Sequence, residues 1–378
     1  MVVYLFLICL TLFYVLYPFQ NGYIIKSSFY LLFLLLSLIV GFRDMIGGYD
    51  VYVYGAYFDS LDKGITLKSI FSENQLFEKG FSIYNFLLHE FTRNRYIFFL
   101  ITSLITYTLF ALSSSRYALR ILPIFLFFFF CKFFFMSFTY VRQGLAMSTI
   151  WLSIPFIEKR KFLPFSLLVI LATSFHNSAV IFLLAYILSY RKFSSLQIIS
   201  MLFCSLILGQ LGFLNSILSF WGDVTQAEKI INYGDSEMGS TNIFYIMDIL
   251  LLTFCILYFR QLFYSDKKIS TIVNIALLYS CITLLTIREA TLLRFSWYFL
   301  IGYFGVFAYS YRFFSYTKFY FVKVLILVYF LATFLRTMII WDYGDMIPYK
   351  TFFSSGQRES FWNMREYDSN YINDKFYK

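Results

Sequence analysis

The sequence predicts an all-α polytopic membrane protein with about 12 transmembrane helices, and three observations carry that expectation. Of 378 residues, 60% are AVILMFWYC and only 14% are charged, whereas an average soluble domain is about half apolar and about a quarter charged. No single water-soluble core can hide that much apolar surface, so the composition asks for a bilayer as its solvent. The apolar residues also fall into twelve runs bounded by charge or turn residues, at 2–17, 24–42, 96–114, 121–138, 142–157, 162–175, 177–190, 196–220, 242–259, 269–287, 291–311 and 319–341. A hydrocarbon core is crossed by ~20 such residues. Finally, the basic residues concentrate in alternate connections between the runs. Fibrous, disordered and disulfide-rich classes need other compositions.

From the N-terminus, Met1-Val2-Val3 has no basic n-region, so the run 2–17 reads as a span and not as a cleaved signal. The connection 43–95 is the largest external piece. Within it Phe81, Tyr84, Leu88 and Phe91 recur at helical spacing opposite Ser82, Asn85 and His89, the pattern of an amphipathic helix lying in the interface. The segment 125–135 holds eight Phe and is expected to face lipid. Runs 162–175 and 177–190 are each 14 residues, about 21 Å of helix against a core of ~30 Å. They are expected to form a hairpin of two short helices whose tip, Phe175-His176-Asn177-Ser178, lies below the outer surface. Such backbone is tolerated at depth only where protein or a wet cavity surrounds it. A second external piece, 221–241, carries Asp223, Glu228, Lys229, Asp235 and Glu237. The C-terminal tail 342–378 has no further span. With no repeat or soluble domain, 1–341 reads as one polytopic domain.

Orientation follows from charge. One alternate set of connections holds Lys26, Arg116, Arg120, Lys159, Arg160, Lys161, Arg191, Lys192, Arg260, Lys267, Lys268, Arg312, Lys318 and Lys323 against Glu158 and Asp266, a net +12, while the rest of the chain sums to −2. Short basic connections mark the cytoplasmic side, so both termini are expected outside. The formal charge of +10 is thus a topology signal and not a nucleic-acid footprint.

Much chemistry is missing. His89 and His176, the two histidines, are far apart in sequence and lack metal-ligand spacing. All five cysteines lie in apolar runs without a pairing pattern and read as buried, inert thiols. There is no Walker A loop, no strand–GxGxxG–helix unit and no G-x-S-x-G elbow, so a reaction here would use a substrate that arrives already activated. With the topology above, Lys132, Arg142, Asp248, Arg288, Glu289, Arg294 and Arg336 fall near the external surface, joined by His176 if the hairpin forms. Charge at that depth is costly and marks candidate sites. None falls at the midplane, which favours a site working on the outer leaflet over a translocation path. Arginine keeps its charge on burial and offers a fork matched to phosphate oxygens; snorkelling to the headgroups is the alternative reading. Arg142 and Arg294 have no acid adjacent in sequence, whereas Arg288 stands beside Glu289 and reads equally as half of a structural pair.

These residues sit in an ordered set of motifs. Gly41-Phe42-Arg43 with Gly47-Gly48-Tyr49-Asp50 and Tyr54 resembles the opening of EpsG/Wzy-type polysaccharide polymerases. Phe77-Glu78-Lys79-Gly80-Phe81 is similar to the family's "E.GF", Arg142-Gln143-Gly144-Leu145-Ala146 to its "RQ.LA", and Leu171-Ala172-Thr173-Ser174-Phe175-His176-Asn177-Ser178-Ala179 to its "LA..FH.SA". Arg294 before Trp297-Tyr298-Phe299, and Ile347-Pro348-Tyr349-Lys350, also fit. One departure is Gly48-Tyr49-Asp50, where the family more often has a small polar residue, Asp, then Tyr, which leaves the role of Asp50 open.

The resemblance implies a multi-pass enzyme of the bacterial inner membrane, with a fold akin to GT-C-like lipid-dependent glycosyltransferases, serving O-antigen, capsule or exopolysaccharide assembly. It would move a growing glycan from undecaprenyl diphosphate to a sugar of the incoming lipid-linked unit, at the outer face. It would need no cofactor, and its partners would be the bilayer, the lipid-linked oligosaccharide and a chain-length regulator. On this reading Arg142 and Arg294, with Arg288 and Arg43 in reserve, stabilise the departing diphosphate. His176, then Asp50 and Glu78, are candidates for taking the acceptor proton. A capping role for His176 and solvated-loop roles for the two acids are the alternatives, and a carboxylate-held Mg²⁺ stays open. The competing functions are a flippase or transporter of lipid-linked oligosaccharide, which calls for midplane polar residues and repeated halves, and an O-antigen ligase or membrane acyltransferase.

Overall fold

The computed structural model describes residues 1–17, 21–61, 76–189, 191–217, 239–340, 347 and 349–353. Most of external piece 221–241 and of the tail 342–378, with Pro348, lies outside them. The described residues are helical, with no strand beyond an isolated bridge. Each of the twelve expected runs overlaps helix among the described residues, but not all of them form a helix long enough to span a membrane. Five helices are long and apolar enough to cross a membrane, and five shorter apolar ones accompany them. Contacts group the chain into two units, one from Met1–Leu152, Ile170–Asn177 and Tyr311–Lys378, the other from Ser153–Val169 and Ser178–Ser310.

In the first unit α1 (Val2–Leu16), α2 (Gly22–Gly41), α5 (Arg95–Ser114), α6 (Leu122–Phe133), α7 (Val141–Trp151) and α15 (Phe321–Ile340) are the apolar helices. Two helices of the 43–95 connection, α3 (Tyr49–Ser60) and α4 (Lys79–His89), pack beside α5. Asparagine side chains start two of the long ones: Asn21 accepts the Tyr23 N–H at 2.9 Å, and Asn94 that of Tyr96 at 2.8 Å, each satisfying one orphan donor of a helix start. The Phe-rich helix α6 is the centre of this unit, which corrects the expectation that it faces lipid. Phe127 to Phe130, Phe133 and Phe134 are all fully buried. Phe128 stacks on Phe330 of α15 at 3.9 Å, Phe129 meets Phe33 of α2 at 5.2 Å, and Phe135 just beyond the helix lies 4.9 Å from Tyr4 of α1. A helix apolar all round belongs in a core, and here neighbouring helices, not lipid, supply it.

The second unit centres on α13 (Lys267–Leu285). Around it lie α8 (Ile154–Glu158), α10 (Leu183–Leu188), α11 (Ser195–Gln210), α12 (Ile243–Tyr258) and the 3-10 segment Leu292–Phe299 that leads into α14 (Leu300–Phe314). Ser194 and Gln197 form a reciprocal capping box at the start of α11, and Asp266 caps α13 through the N–H groups of Lys268 and Ile269. A Cβ at Gly209 would stand 2.0 Å from the Leu284 carbonyl oxygen, so only glycine allows α11 and α13 to meet this closely.

The expected hairpin forms. Helix α9 (Phe162–Phe175) stops at His176, a 3-10 turn covers Asn177–Phe182, and α10 follows. Phe165 lies 5.0 Å from the Tyr186 ring and 6.4 Å from that of Phe182, so the chain runs back along itself. Not all five cysteines are buried: Cys131, Cys255 and Cys281 are, while Cys9 and Cys204 lie on outward faces.

Candidate functional site

In the first unit, five residues that the sequence singles out converge around the buried ring of Tyr54. The turn after α2 requires glycine: Gly47 has φ +132°, and a Cβ there would stand 2.7 Å from the Phe138 carbonyl oxygen. That turn launches α3, with Asp50 in its first turn and Tyr54 one helical turn later on the same face. Asp50 and Glu78 are both among the charges acting on Tyr54. Burial raises the Tyr54 phenol above its ordinary range, and Arg142 pulls it back.

Arg142, in the first turn of α7, enters an aromatic box. Its guanidinium lies 4.5 Å from the Phe77 centroid, 5.6 Å from that of Tyr54 and 6.0 Å from that of Phe81. Its Nη1 is ion-paired with Glu78 Oε2, and its Nε points at the Tyr54 hydroxyl at 3.5 Å. The sequence shows no acid beside Arg142; the fold supplies one from 64 positions away. Arg142 is therefore a compensated cation. Glu78 does more than pair with it: its Oε1 accepts the Asn177 N–H at 3.2 Å. One carboxylate thus joins the start of α4, the start of α7 and the turn that carries His176. Gly80 makes this joint possible, because any Cβ there would collide with Ser174, 2.1 Å from its Oγ.

The face of α4 turned inward differs from the expected apolar stripe. Phe81, Ser82 and Asn85 are fully buried and Phe91 is exposed. Asn85 donates to the Phe81 carbonyl at 2.8 Å, a local bond that makes a polar residue tolerable there. Tyr84 and Leu88 pack on the same aromatic cluster from its edge.

Arg43 is a buried cation with no ion-pair partner among the described residues. It is 1% exposed, its guanidinium lies over Phe99 at 4.8 Å and Phe138 at 5.5 Å, and its Nε and Nη1 have no hydrogen-bond partner among the described residues. Burial brings its pKa down from the ordinary guanidinium range to about 9, with Tyr107, Tyr349, Tyr4 and Tyr54 opposing the shift, so it stays charged at neutral pH. Beside it is a cavity of about 10 Å³ lined by Thr102, Thr106, Tyr107, Ser137 and the backbone that leads into Arg142, room for about one water. Residues 349–353 close over this end of α2. The Asp44 N–H donates to Lys350 O at 2.9 Å, Phe352 N–H to Phe42 O at 3.2 Å, and Tyr349 hydroxyl to Ile39 O at 2.7 Å.

Arg288 and Arg294 belong to the second unit. Arg288 donates from Nε to Gly239 O and from Nη1 to Gln210 O, both at 3.1 Å, which clasps the end of α11 to the approach to α12; this favours the structural reading of that residue. Arg294 sits half-exposed on the 3-10 segment. The fold also forms a polar knot that the sequence gives no pairing for. Asp248 of α12, 1% exposed, accepts the hydroxyls of Tyr279 at 3.1 Å and of Tyr303. Tyr54 is the site residue that reasoning from charge undervalues; its i, i+4 relation to Asp50 is the signal that marks it.

A family model described as the EpsG family matches residues 26–351, a stretch that contains every residue of this site. Neither curated proteins nor solved structures gave a match.

Proposed function

The chain belongs to the EpsG family, and from that premise we propose that it polymerises oligosaccharide units carried on undecaprenyl diphosphate. The family is one of membrane proteins with polysaccharide-polymerase character. The observation that supports the finer reading is the joint made by Glu78: it holds Arg142 and the His176 turn together beside an arginine, Arg43, with no counter-ion among the described residues.

In the proposed transfer, a hydroxyl oxygen of the incoming unit bonds to the anomeric carbon of the growing glycan. The bond from that carbon to the lipid diphosphate breaks, and its electron pair leaves with the diphosphate. Arg43 supplies charge to the leaving group, since its N–H groups are unspent; Arg142 contributes a field already balanced by Glu78. Arg288 holds the chain of its own unit through Gly239 and Gln210. The hydroxyl proton passes to His176 or Asp50, with Glu78 holding the turn of the former. The setting is the outer face of a bacterial inner membrane, with both termini outside and a chain-length regulator as partner.

The test is reconstitution. Purified protein in nanodiscs receives a synthetic lipid-diphosphate repeat unit, with no nucleotide sugar and no second enzyme. A ladder of longer lipid-linked glycans is the expected result. A well-folded sample that yields no ladder from its cognate unit overturns the proposal.

A further inference from the structure

The sequence singles out Ile347-Pro348-Tyr349-Lys350, and the proposed transfer gives that stretch no part. Residues 349–353 form a strap on the first unit. The strap runs antiparallel to the chain at the end of α2, with Arg43 and Thr351 as the bridging pair. The bonds on either side of that pair are Asp44 N–H to Lys350 O at 2.9 Å and Phe352 N–H to Phe42 O at 3.2 Å. The Tyr349 hydroxyl donates to Ile39 O at 2.7 Å, and the Phe352 ring stacks on that of Tyr96 at 5.2 Å.

Arg43 is 1% exposed, and its Nε and Nη1 have no hydrogen-bond partner among the described residues. A diphosphate can meet those N–H groups only after some part of the surroundings moves aside. The helices beside Arg43 are poor candidates for that movement. A Cβ on Gly41 would stand 2.7 Å from Leu100 Cδ1 and 3.0 Å from Leu100 Cα, so α2 and α5 meet at backbone distance. Parting such a contact opens a void in a close-packed core. The strap is held differently. It is not helical, Tyr349 to Phe352 are half-buried and Phe353 is exposed. Its hydrogen bonds are of the kind that contributes modestly, because water replaces them on opening.

We propose that residues 349–353 are a gate, and that a lipid diphosphate reaches Arg43 by displacing them from the end of α2. The proposal rests on the lipid-diphosphate reading of the site. In the closed state the Arg43 N–H groups are unspent, so charge-assisted bonds from them to phosphate oxygens are made only in the open state. A ligand with that preference shifts the gate toward open. Its apparent affinity is the intrinsic one reduced by the fraction of open gate, so loosening the strap tightens binding.

The experiment uses the full chain in detergent, with undecaprenyl diphosphate as the probe and native mass spectrometry as the measure of its retention. Tyr349→Phe removes the bond to Ile39, and Phe352→Ala the stack on Tyr96. Each should tighten retention about two- to tenfold, the weight of one hydrogen bond or aromatic pair. In an Arg43→Gln background neither change should tighten it. A strap that only supports the fold gives the opposite sign, with equal or weaker retention in both variants. The wild-type chain supplies a readout without substitution: on adding the lipid, hydrogen exchange should quicken in the peptides holding Asp44 and Phe352 and stay constant in the middle of α2. The gate is overturned if retention is equal or weaker in both strap variants, or if exchange at Asp44 and Phe352 is unchanged while the lipid is bound. Ladder formation in nanodiscs separates the two readings. A ladder without tightening in the strap variants refutes the gate alone, whereas tightening without a ladder refutes the polymerase and leaves the gate.

Discussion

Replacing Gly80 by alanine tests the joint on which the proposed site depends. The new Cβ would stand 2.1 Å from Ser174 Oγ, 2.6 Å from its Cβ and 2.7 Å from its carbonyl oxygen. Carbon atoms settle at about 3.5–4.0 Å, so α4 and the end of α9 must part by roughly 1 Å. Overpacking of that kind costs about 1–3 kcal/mol. The strained point is three residues before Asn177, whose N–H already reaches Glu78 Oε1 at a long 3.2 Å. A further ångström breaks that bond and swings the His176 turn away from Glu78 and Arg142. A misplacement of that size costs about 10²-fold in rate. The assay is the initial rate of ladder formation in nanodiscs, with the melting temperature measured on the same samples. Gly80→Ala should melt lower and turn over about 10²-fold more slowly. Ser174→Gly in the same chain removes two of the three clashes and should restore part of both, giving a non-zero coupling in the double-mutant cycle. Wild-type rate and melting in Gly80→Ala would refute the reasoning.

Other variants probe the charges and the core. Arg142→Ala leaves Glu78 without its counter-ion; with the two side chains 20% and 13% exposed, thermal unfolding should show a loss of about 1–3 kcal/mol, between the values for surface and buried pairs. Glu78→Gln keeps an acceptor for Asn177 and should retain a larger share of the polymerisation rate than Glu78→Ala; equal, complete loss in both would make Glu78 a base and not a tether. Burial lowers the pKa of the Arg43 guanidinium to about 9, so its buried charge weighs against the fold below about pH 9 and that penalty lifts as pH rises above it. Conversely, a rate that needs the cation should fall as pH passes about 9, and Arg43→Gln should have a low rate without that limb. Phe128→Ala opens a void under the Phe330 stack and should cost about 3–5 kcal/mol, read as a lower melting temperature with ladder length unchanged.

Helix positions were legible from the sequence because charge and turn residues punctuate the runs: the chain does break at His176, where two 14-residue runs meet. Which side of each helix faces protein was not legible. In water, a polar face marks solvent and an apolar face marks the core. In a bilayer both surroundings are apolar, so hydropathy loses that contrast. The Phe-rich α6 therefore looked lipid-facing while nearly all of its residues are buried, and α15, apolar enough to span a membrane, has only 28% of its span buried. The same loss explains α4, where Asn85 turns inward with its Nδ2 bonded to the Phe81 carbonyl, and Ser82 turns inward beside it.

Charges behave differently, because their pairing depends on the fold and not on sequence adjacency. Arg142 has no acid near it in sequence, yet Glu78 neutralises it. Arg43, ranked behind it on sequence grounds, has guanidinium N–H groups left over among the described residues. This reverses the order in which the two should be expected to meet a diphosphate. A compensated arginine in an aromatic box offers a rigid wall, since Phe77, Tyr54 and the ion pair fix its plane. An uncompensated one carries an unmet electrostatic demand, beside a cavity with room for about one water. A phosphate that reached Arg43 would replace an unfavourable state, whereas one that reached Arg142 would have to compete with Glu78. For electrostatic stabilisation of a leaving diphosphate, the first is the stronger position, and loss of charge at Arg43 should therefore reduce the transfer rate more than loss of charge at Arg142.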